Sequence, residues 1–293
     1  MYAIKTTHMD LCLEMAPIKE LRQHEAVVPE QAEQLKLQFR NWALLQNPVI
    51  VDEHLTVIDG HHRAHVLKNL NFKYIPVCKI DYFNDAVQLR YWFRSIAEVR
   101  DGDMPRQLIQ ALRGTVQEMD HMDALREILG QNPLYLGFQH KGRFFSVTFP
   151  ETVVPDAVSA YRVTEQIQEG LSKGGDRFQY IPCQSVLTGN RANRADPDDL
   201  ILWTPQISKQ MVMDAVRRKR RFAPKATRHL IPARPLNVNV PIYWLKEEKP
   251  LNRINQQFRQ FLEGKGLKRF GPGQVMDGRY YEEELFVFFH KKR

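Results

Sequence analysis

The stretch Ile58-Asp59-Gly60-His61-His62-Arg63 gathers a carboxylate, a glycine, two imidazoles and a guanidinium within six residues. A short β-rich run ends there, and the apolar period of Ala64, Val66, Leu67 and Leu70 predicts a helix beyond it. Glycine suits such a turn because it tolerates backbone conformations that other residues resist. The unpaired N–H groups and positive dipole end of the helix favour an anion at this point. Arg63 adds a planar fork matched to phosphate oxygens. Asp59 has two open readings: a cap for the helix, or a carboxylate holding a divalent metal beside those phosphates. The two histidines are too close together for the i, i+4 zinc pair of a helical metalloprotease motif. Without its context, the stretch is equally readable as a capped helix with surface histidines.

The elements that must position this turn are legible on either side of it. Residues 17 to 25 predict a short apolar turn leading into a polar tip. Pro29 suits the first turn of a helix whose apolar side is Ala32, Leu35, Phe39 and Trp42. Pro48-Val49-Ile50-Val51 and Leu55-Thr56-Val57-Ile58 predict a strand pair with Asp52-Glu53-His54 as its turn. Asn69-Leu70-Asn71 closes the helix, and a strand follows over Tyr74 to Ile80. Residues 84 to 129 carry a helical period, interrupted around Asp101 to Pro105. Further on, a strand is expected over Gly142 to Phe149, a helix over Ala157 to Leu171, a loop at Gly174-Gly175-Asp176 and a strand over Asp199 to Trp203 bracketed by Pro197 and Pro205. A helix over Lys209 to Arg218, another over Ile254 to Leu262 and a strand over Glu284 to Phe289 complete the reading. The expected organisation is 1–100 as an N-terminal catalytic domain, 101–135 as a helical connection, 136–249 as a second α/β domain and 250–293 as a C-terminal extension.

Composition sets the outer bounds. The chain has 293 residues, 43% hydrophobic and 26% charged, which is ordinary for globular domains and ample for a core. No apolar run approaches membrane-spanning length, and the first residues lack the layout of a signal peptide, so a cytoplasmic, non-membrane protein is expected. Cys12, Cys78 and Cys183 are odd in number and widely spaced, consistent with plain thiols in a reducing compartment. The net charge of +8 calls for an anionic partner but leaves nucleic acid, acidic protein and nucleotide phosphate all open. Much of that excess lies in Arg217-Arg218-Lys219-Arg220-Arg221 and Lys291-Lys292-Arg293; the first run reads most simply as a solvated helix end.

Asp59 to Arg63, preceded by Gln23-His24-Glu25 and Pro48, resembles the ParB/sulfiredoxin-like fold, and within it the free L-serine kinases. The resemblance continues in Asp81-Tyr82-Phe83-Asn84-Asp85, in Tyr91-Trp92 and in Ala223-Pro224-Lys225-Ala226-Thr227-Arg228-His229-Leu230-Ile231-Pro232, which matches that family's Pro-Lys-x-Thr-Arg-His signature. It spans roughly residues 15 to 240. It implies an α/β (α+β) chain: a ParB/sulfiredoxin-like N-terminal domain plus a second α/β domain, with the active site in the cleft between them. It also implies transfer of phosphate from ATP or ADP, with Mg²⁺, to free L-serine. In that reading Glu25, Asp59 and His61 are catalytic, Glu25 being the general base. Gly60, His61, His62 and Arg63 hold the nucleotide, and Asp59 faces its Mg²⁺. Trp92, Thr227, Arg228 and His229 bind the substrate, the last three reaching over from the second domain. Product use in cysteine or 2,3-diaminopropionate and siderophore synthesis, with a downstream enzyme that takes O-phosphoserine, is implied by the family alone.

Each of these residues has a plainer reading when taken alone: a solvated turn for Glu25, a cap for Thr227, core for Trp92. Two departures from the family stand out. Arg40 to Gln46 is bulkier than the Gly/Ser-rich turn expected before Pro48, and Ala226 stands where a hydroxyl residue can occur. The alternative is a ParB-like nucleotide-dependent DNA-binding or regulatory protein. His61-His62-Arg63 replaces the arginine pair expected there, and residues 106 to 130 show no convincing recognition helix. Sulfiredoxin chemistry needs a cysteine where His61 stands.

Overall fold

The computed structural model describes residues 1–39, 41–97, 99, 102–172, 178–187 and 199–291. Of the features named above, Arg40, Asp101, Gly174-Gly175-Asp176, Pro197 and Lys292-Arg293 lie outside them. The chain forms two compact units, one of Met1–Gln88 with His229–Arg293 and the other of Leu89–Arg228.

The first unit begins with strands β1 (Tyr2–Lys5) and β2 (Asp10–Pro17), a 3-10 turn at Ile18–Glu20 and the short strand β3 (Arg22–Gln23). Helix α1 (Pro29–Phe39), β4 (Leu44–Leu45), β5 (Val49–Val51), β6 (Thr56–Asp59), α2 (His61–Asn69) and β7 (Tyr74–Lys79) follow. The sheet order is β1-β2-β7-β5-β6-β3, with β5 parallel to β7, β3 parallel to β6 and the other pairs antiparallel. Val49, Ile50 and Val51 are all buried, as a strand covered on both faces requires. The expected hairpin turn forms: the Asp52 carboxylate accepts from the backbone N–H of His54 at 2.9 Å and of Thr56 at 2.6 Å.

In the second unit the expected helical run is part helix and part strand. β8 (Gln88–Arg90) lies at the boundary, followed by β9 (Trp92–Ile96), α3 (Met104–Ala111), β10 (Thr115–Met119) and α4 (Met122–Gln131). Aromatic and β-branched residues at 92–96 suit a strand buried on both faces, and that burial overrides the apparent helical period. Then come β11 (Leu136–His140), β12 (Arg143–Thr148), α5 (Ala157–Leu171), β13 (Phe178–Pro182), α6 (Cys183–Leu187), β14 (Leu200–Trp203) and α7 (Lys209–Arg217). The sheet order is β10-β12-β11-β14-β9-β13, antiparallel throughout, so this unit is α+β. Leu200 and Leu202 face a core with Ile109 of α3 and Ile167 of α5. Ile201 and Trp203 face the other, with Leu125 and Leu129 of α4. The period of two thus feeds both layers.

After β15 (Arg228–Leu230) at the second boundary, the chain returns to the first unit as β16 (Ala233–Leu236), β17 (Val240–Pro241), α8 (Leu251–Glu263), β18 (Lys265–Phe270), β19 (Gln274–Met276), β20 (Arg279–Tyr281) and β21 (Glu284–His290). This corrects the expected boundaries at 100 and 249, because residues 229–291 are built into the first unit. β16 pairs in parallel with β21, and β17 pairs with β4. The Asn255 side chain of α8 both accepts from Met15 N–H (2.8 Å) and donates to Met15 C=O (3.0 Å) on β2. Two-point pairing of this kind cannot be read from local sequence, since the partners are 240 positions apart.

Candidate active site

β6 ends at Asp59, and Gly60 turns the chain into α2 with φ +97°. A Cβ there would lie 2.8 Å from Arg63 Nη2 and 3.1 Å from Val49 Cγ2, so both conformation and space require glycine. Gly60 itself is the N-cap, and no side chain caps the helix. The capping reading of Asp59 therefore falls.

Its carboxylate is held by arginines instead. Asp59 Oδ2 accepts from Arg234 Nη1 at 2.6 Å and from Arg63 Nη2 at 3.4 Å. Behind it, Arg234 Nε donates to Glu283 Oε1 at 2.7 Å. Both of those Asp59 bonds fall on Oδ2; Oδ1 has no protein hydrogen bond among the described residues. Burial opposes ionisation of Asp59, but Arg234, Arg63 and Arg279 outweigh it and hold the carboxyl well below the usual carboxylate range.

Arg63 has a second duty that the sequence did not reveal. Its Nη1 donates to the carbonyls of Asn47 (2.6 Å) and Pro48 (2.9 Å), tying the entry of β5 to the first turn of α2. His62 is likewise engaged, its Nε2 accepting from Val28 N–H at 3.1 Å, while Gln23 Nε2 donates to His61 C=O at 2.8 Å. These two bonds dock the segment carrying His24 and Glu25 on the start of α2. The expected polar tip is in fact buried: His24 is 0% exposed and Glu25 8%.

His24 stands edge-on to His61, with ring centroids 4.5 Å apart, and 5.4 Å from His229. Tyr82 Oη is 2.9 Å from His229 Nε2. Burial pushes the His24 imidazole down to about 4, against a backbone hydrogen bond with Val57. Burial also pushes His61 well below its ordinary value, reinforced by His24 and His229 and opposed by Asp59. Both nitrogens of His61 are buried without a hydrogen-bond partner among the described residues. At neutral pH these two rings are uncharged hydrogen-bonding groups rather than cations. No cluster of three or more His, Cys, Asp or Glu among the described residues is arranged to hold a metal by itself.

The first unit thus gathers Glu25, Asp59, Gly60, His61, His62, Arg63 and His229. Placing His229 here corrects its expected position in the second domain. Trp92, Thr227 and Arg228 form a separate group in the second unit. Trp92 Nε1 donates to Thr227 C=O at 3.2 Å, and the Arg228 guanidinium lies 5.6 Å from the Trp92 ring centroid, with Lys225 Nζ at 5.4 Å. Arg228 Nη1 also donates to Gln184 Oε1 at 3.4 Å. The turn bearing these residues is held from beneath by Arg94, 1% exposed, which donates to the carbonyls of Trp92 (2.7 Å), Lys225 (3.2 Å) and Pro224 (3.4 Å) and to Gln168 Oε1 (3.0 Å). Tyr161 Oη donates to Ala226 C=O at 2.8 Å. With Ala226 0% exposed, its side chain belongs to the core, which accounts for the missing hydroxyl.

Sequence reasoning missed Arg94, Tyr161, Arg234 and Glu283. A lone cation inside the apolar run Trp92-Phe93-Arg94-Ser95-Ile96 was a readable signal for the first, because a charge buried in a strand must be paired. In the basic run at the end of α7, Arg217 pairs with Asp214, and Arg220 with Asp156. The thiols are free, Cys12 half-buried and Cys78 and Cys183 buried, as expected. No helix among the described residues is long and apolar enough to cross a membrane.

A mixed sheet delivers an ionised aspartate and a glycine into the first turn of a helix, and an antiparallel sheet with its helices forms the other unit, so the chain is of the mixed α/β class with two units. No family model matches the chain. It is 24% identical over 239 residues to an ATP-dependent L-serine kinase of Staphylothermus marinus, covering 78% of this chain and 89% of that one. It is 20% identical over 247 residues to the ADP-dependent L-serine kinase SerK of Thermococcus kodakarensis, covering 82% and 95%. Among solved structures, a free serine kinase in complex with AMP superposes with a TM-score of 0.64 at 19% identity, over 80% of this chain and 93% of the other. L-serine kinases are thus among the relatives of this chain, and its fold is that of the free serine kinase structures.

Proposed function

We propose that this protein is a kinase of free L-serine, transferring a phosphoryl group from a nucleotide to the serine hydroxyl to give O-phospho-L-serine. The observation that carries the reading is the turn at Asp59-Gly60-His61. An ionised carboxylate with one open oxygen stands there, beside a helix N-terminus suited to phosphate and on a segment docked to buried Glu25. Phosphoryl transfer asks the protein mainly to position and to neutralise charge, and these groups suit both tasks. Glu25 accepts the proton of the serine hydroxyl. Neutral His61 offers a hydrogen bond without adding a charge. The first-turn N–H groups of α2 receive donor phosphate oxygens. Within the second unit, Arg228 over the Trp92 face is a group suited to a carboxylate such as that of an amino acid.

Mg²⁺ fits this donor set. A single carboxylate oxygen plus phosphates is an ordinary way to hold it, and Asp59 Oδ1 is the protein ligand available. Bound there, the ion would neutralise charge on the transferring group. The donor is ATP or ADP, since relatives of both kinds occur. The product places a good leaving group on the β-carbon of serine, which suits a downstream enzyme that introduces sulfur or nitrogen there, as in cysteine or 2,3-diaminopropionate and siderophore synthesis. A cytoplasmic setting agrees with the nucleotide substrate and the three free thiols.

The test is ³¹P NMR of the purified protein with Mg²⁺ and L-serine, run with ATP and separately with ADP. An O-phosphoserine resonance is expected, and the nucleotide left behind names the donor. Folded protein that forms no phosphomonoester in either mixture overturns the proposal.

A further inference from the structure

Four charged groups of the first unit line up in alternating sign: Arg63, Asp59, Arg234 and Glu283. They come from α2, the end of β6, β16 and the residue before β21. Arg279 of β20 adds a further positive charge near Asp59. The Arg234 side chain is 8% exposed and that of Glu283 12%. Burying a cation of this kind is costly unless both its faces are paired, and here they are. Asp59, at 32% exposure, is the most exposed member of the line, with Arg63 at 21%.

The geometry therefore points to Arg234, held from behind by Glu283, as a positioning residue for Asp59. By engaging Oδ2 it fixes the carboxylate so that Oδ1 alone faces the donor's metal and phosphates. Resting on the serine kinase reading, this inference explains two features at once. It accounts for both Asp59 hydrogen bonds falling on one oxygen, and it gives the C-terminal 250–293 segment a part in the site. A carboxylate free to rotate would present either oxygen and lose entropy on binding metal. One clamped by a planar fork is already oriented.

The test is calorimetric titration of the full chain with ADP in the absence of serine, with Mg²⁺ and again in EDTA. Arg234→Lys keeps the charge but not the fork, and Glu283→Gln keeps the shape but not the charge. Both should weaken ADP binding in Mg²⁺ by roughly 10–100-fold, the usual scale for a residue that orients a metal ligand. Binding in EDTA should stay within about twofold, and Glu283→Gln should have no further effect in an Asp59→Asn background. Thermal melts report whether each variant is folded. If folded variants bind ADP as the wild type does in Mg²⁺, or weaken binding equally with and without the ion, the positioning role is refuted. A wild-type chain that makes phosphoserine, yet whose ADP affinity ignores Mg²⁺, overturns this inference while leaving the kinase reading intact. Absence of both turnover and metal dependence removes both.

Discussion

Replacing Gly60 by alanine should damage the molecule through two separable costs. The residue sits at φ +97° and ψ 27°, where a side chain costs about 1–2 kcal/mol. The added Cβ would also stand 2.8 Å from Arg63 Nη2 and 3.2 Å from its Cζ. Ordinarily a flexible side chain would swing aside, but this guanidinium is bonded to Asn47 C=O, Pro48 C=O and Asp59. Giving up one charge-assisted hydrogen bond costs about 1.5–3 kcal/mol, so the sum is about 2.5–5 kcal/mol. Urea denaturation followed by tryptophan emission measures it, with Trp42 and Trp244 reporting on the first unit. In an Arg63→Ala background the clash is gone, and Gly60→Ala should then cost only the conformational ~1–2 kcal/mol. An equal cost in both backgrounds, or a cost under about 1 kcal/mol in the wild type, would refute the claim that Arg63 is locked against this turn.

Glu25→Gln should abolish turnover, by at least about 100-fold, while nucleotide affinity stays within a few-fold, because the amide keeps the shape but cannot take a proton; retained turnover would remove Glu25 as the base. Stability should fall on acidification between about pH 6.5 and 4: His24 stays neutral in the folded state down to about 4, whereas the unfolded chain takes up its proton near 6.5. The slope is at most ~1.4 kcal/mol per pH unit for each such histidine, His61 adds to it in the same direction, and urea midpoints against pH should flatten by about one proton in His24→Gln. Arg94→Lys keeps the charge but cannot reach the carbonyls of Trp92, Lys225 and Pro224 together. It should cost about 2–4 kcal/mol and raise the KM for serine more than that for nucleotide, as steady-state kinetics on the folded variant would show.

By itself the sequence determined the local chemistry. The turn at Asp59-Gly60-His61-His62-Arg63, the strand pair before it and the helix after it follow from glycine's conformational freedom and from periods of two and 3.6, and each forms where those rules put it. α5 over Ala157–Leu171 was equally legible, with an Asp156 cap and a long apolar face. Residues 92–96 were not, because a strand covered on both faces loses its alternation and cannot be told from a helix by period. Asp59 shows the deeper limit. Its type announced a cap or a metal ligand, but its carboxylate oxygen is taken up by Arg234, which is 175 residues away in the chain. Likewise Glu25 and His24 read as a solvated tip until docking on α2 buried them. Which polar group is buried, and with whom, is fixed by packing between distant segments. A charge removed from water must find its partner wherever the fold brings one, so tertiary structure alone decided what these residues do.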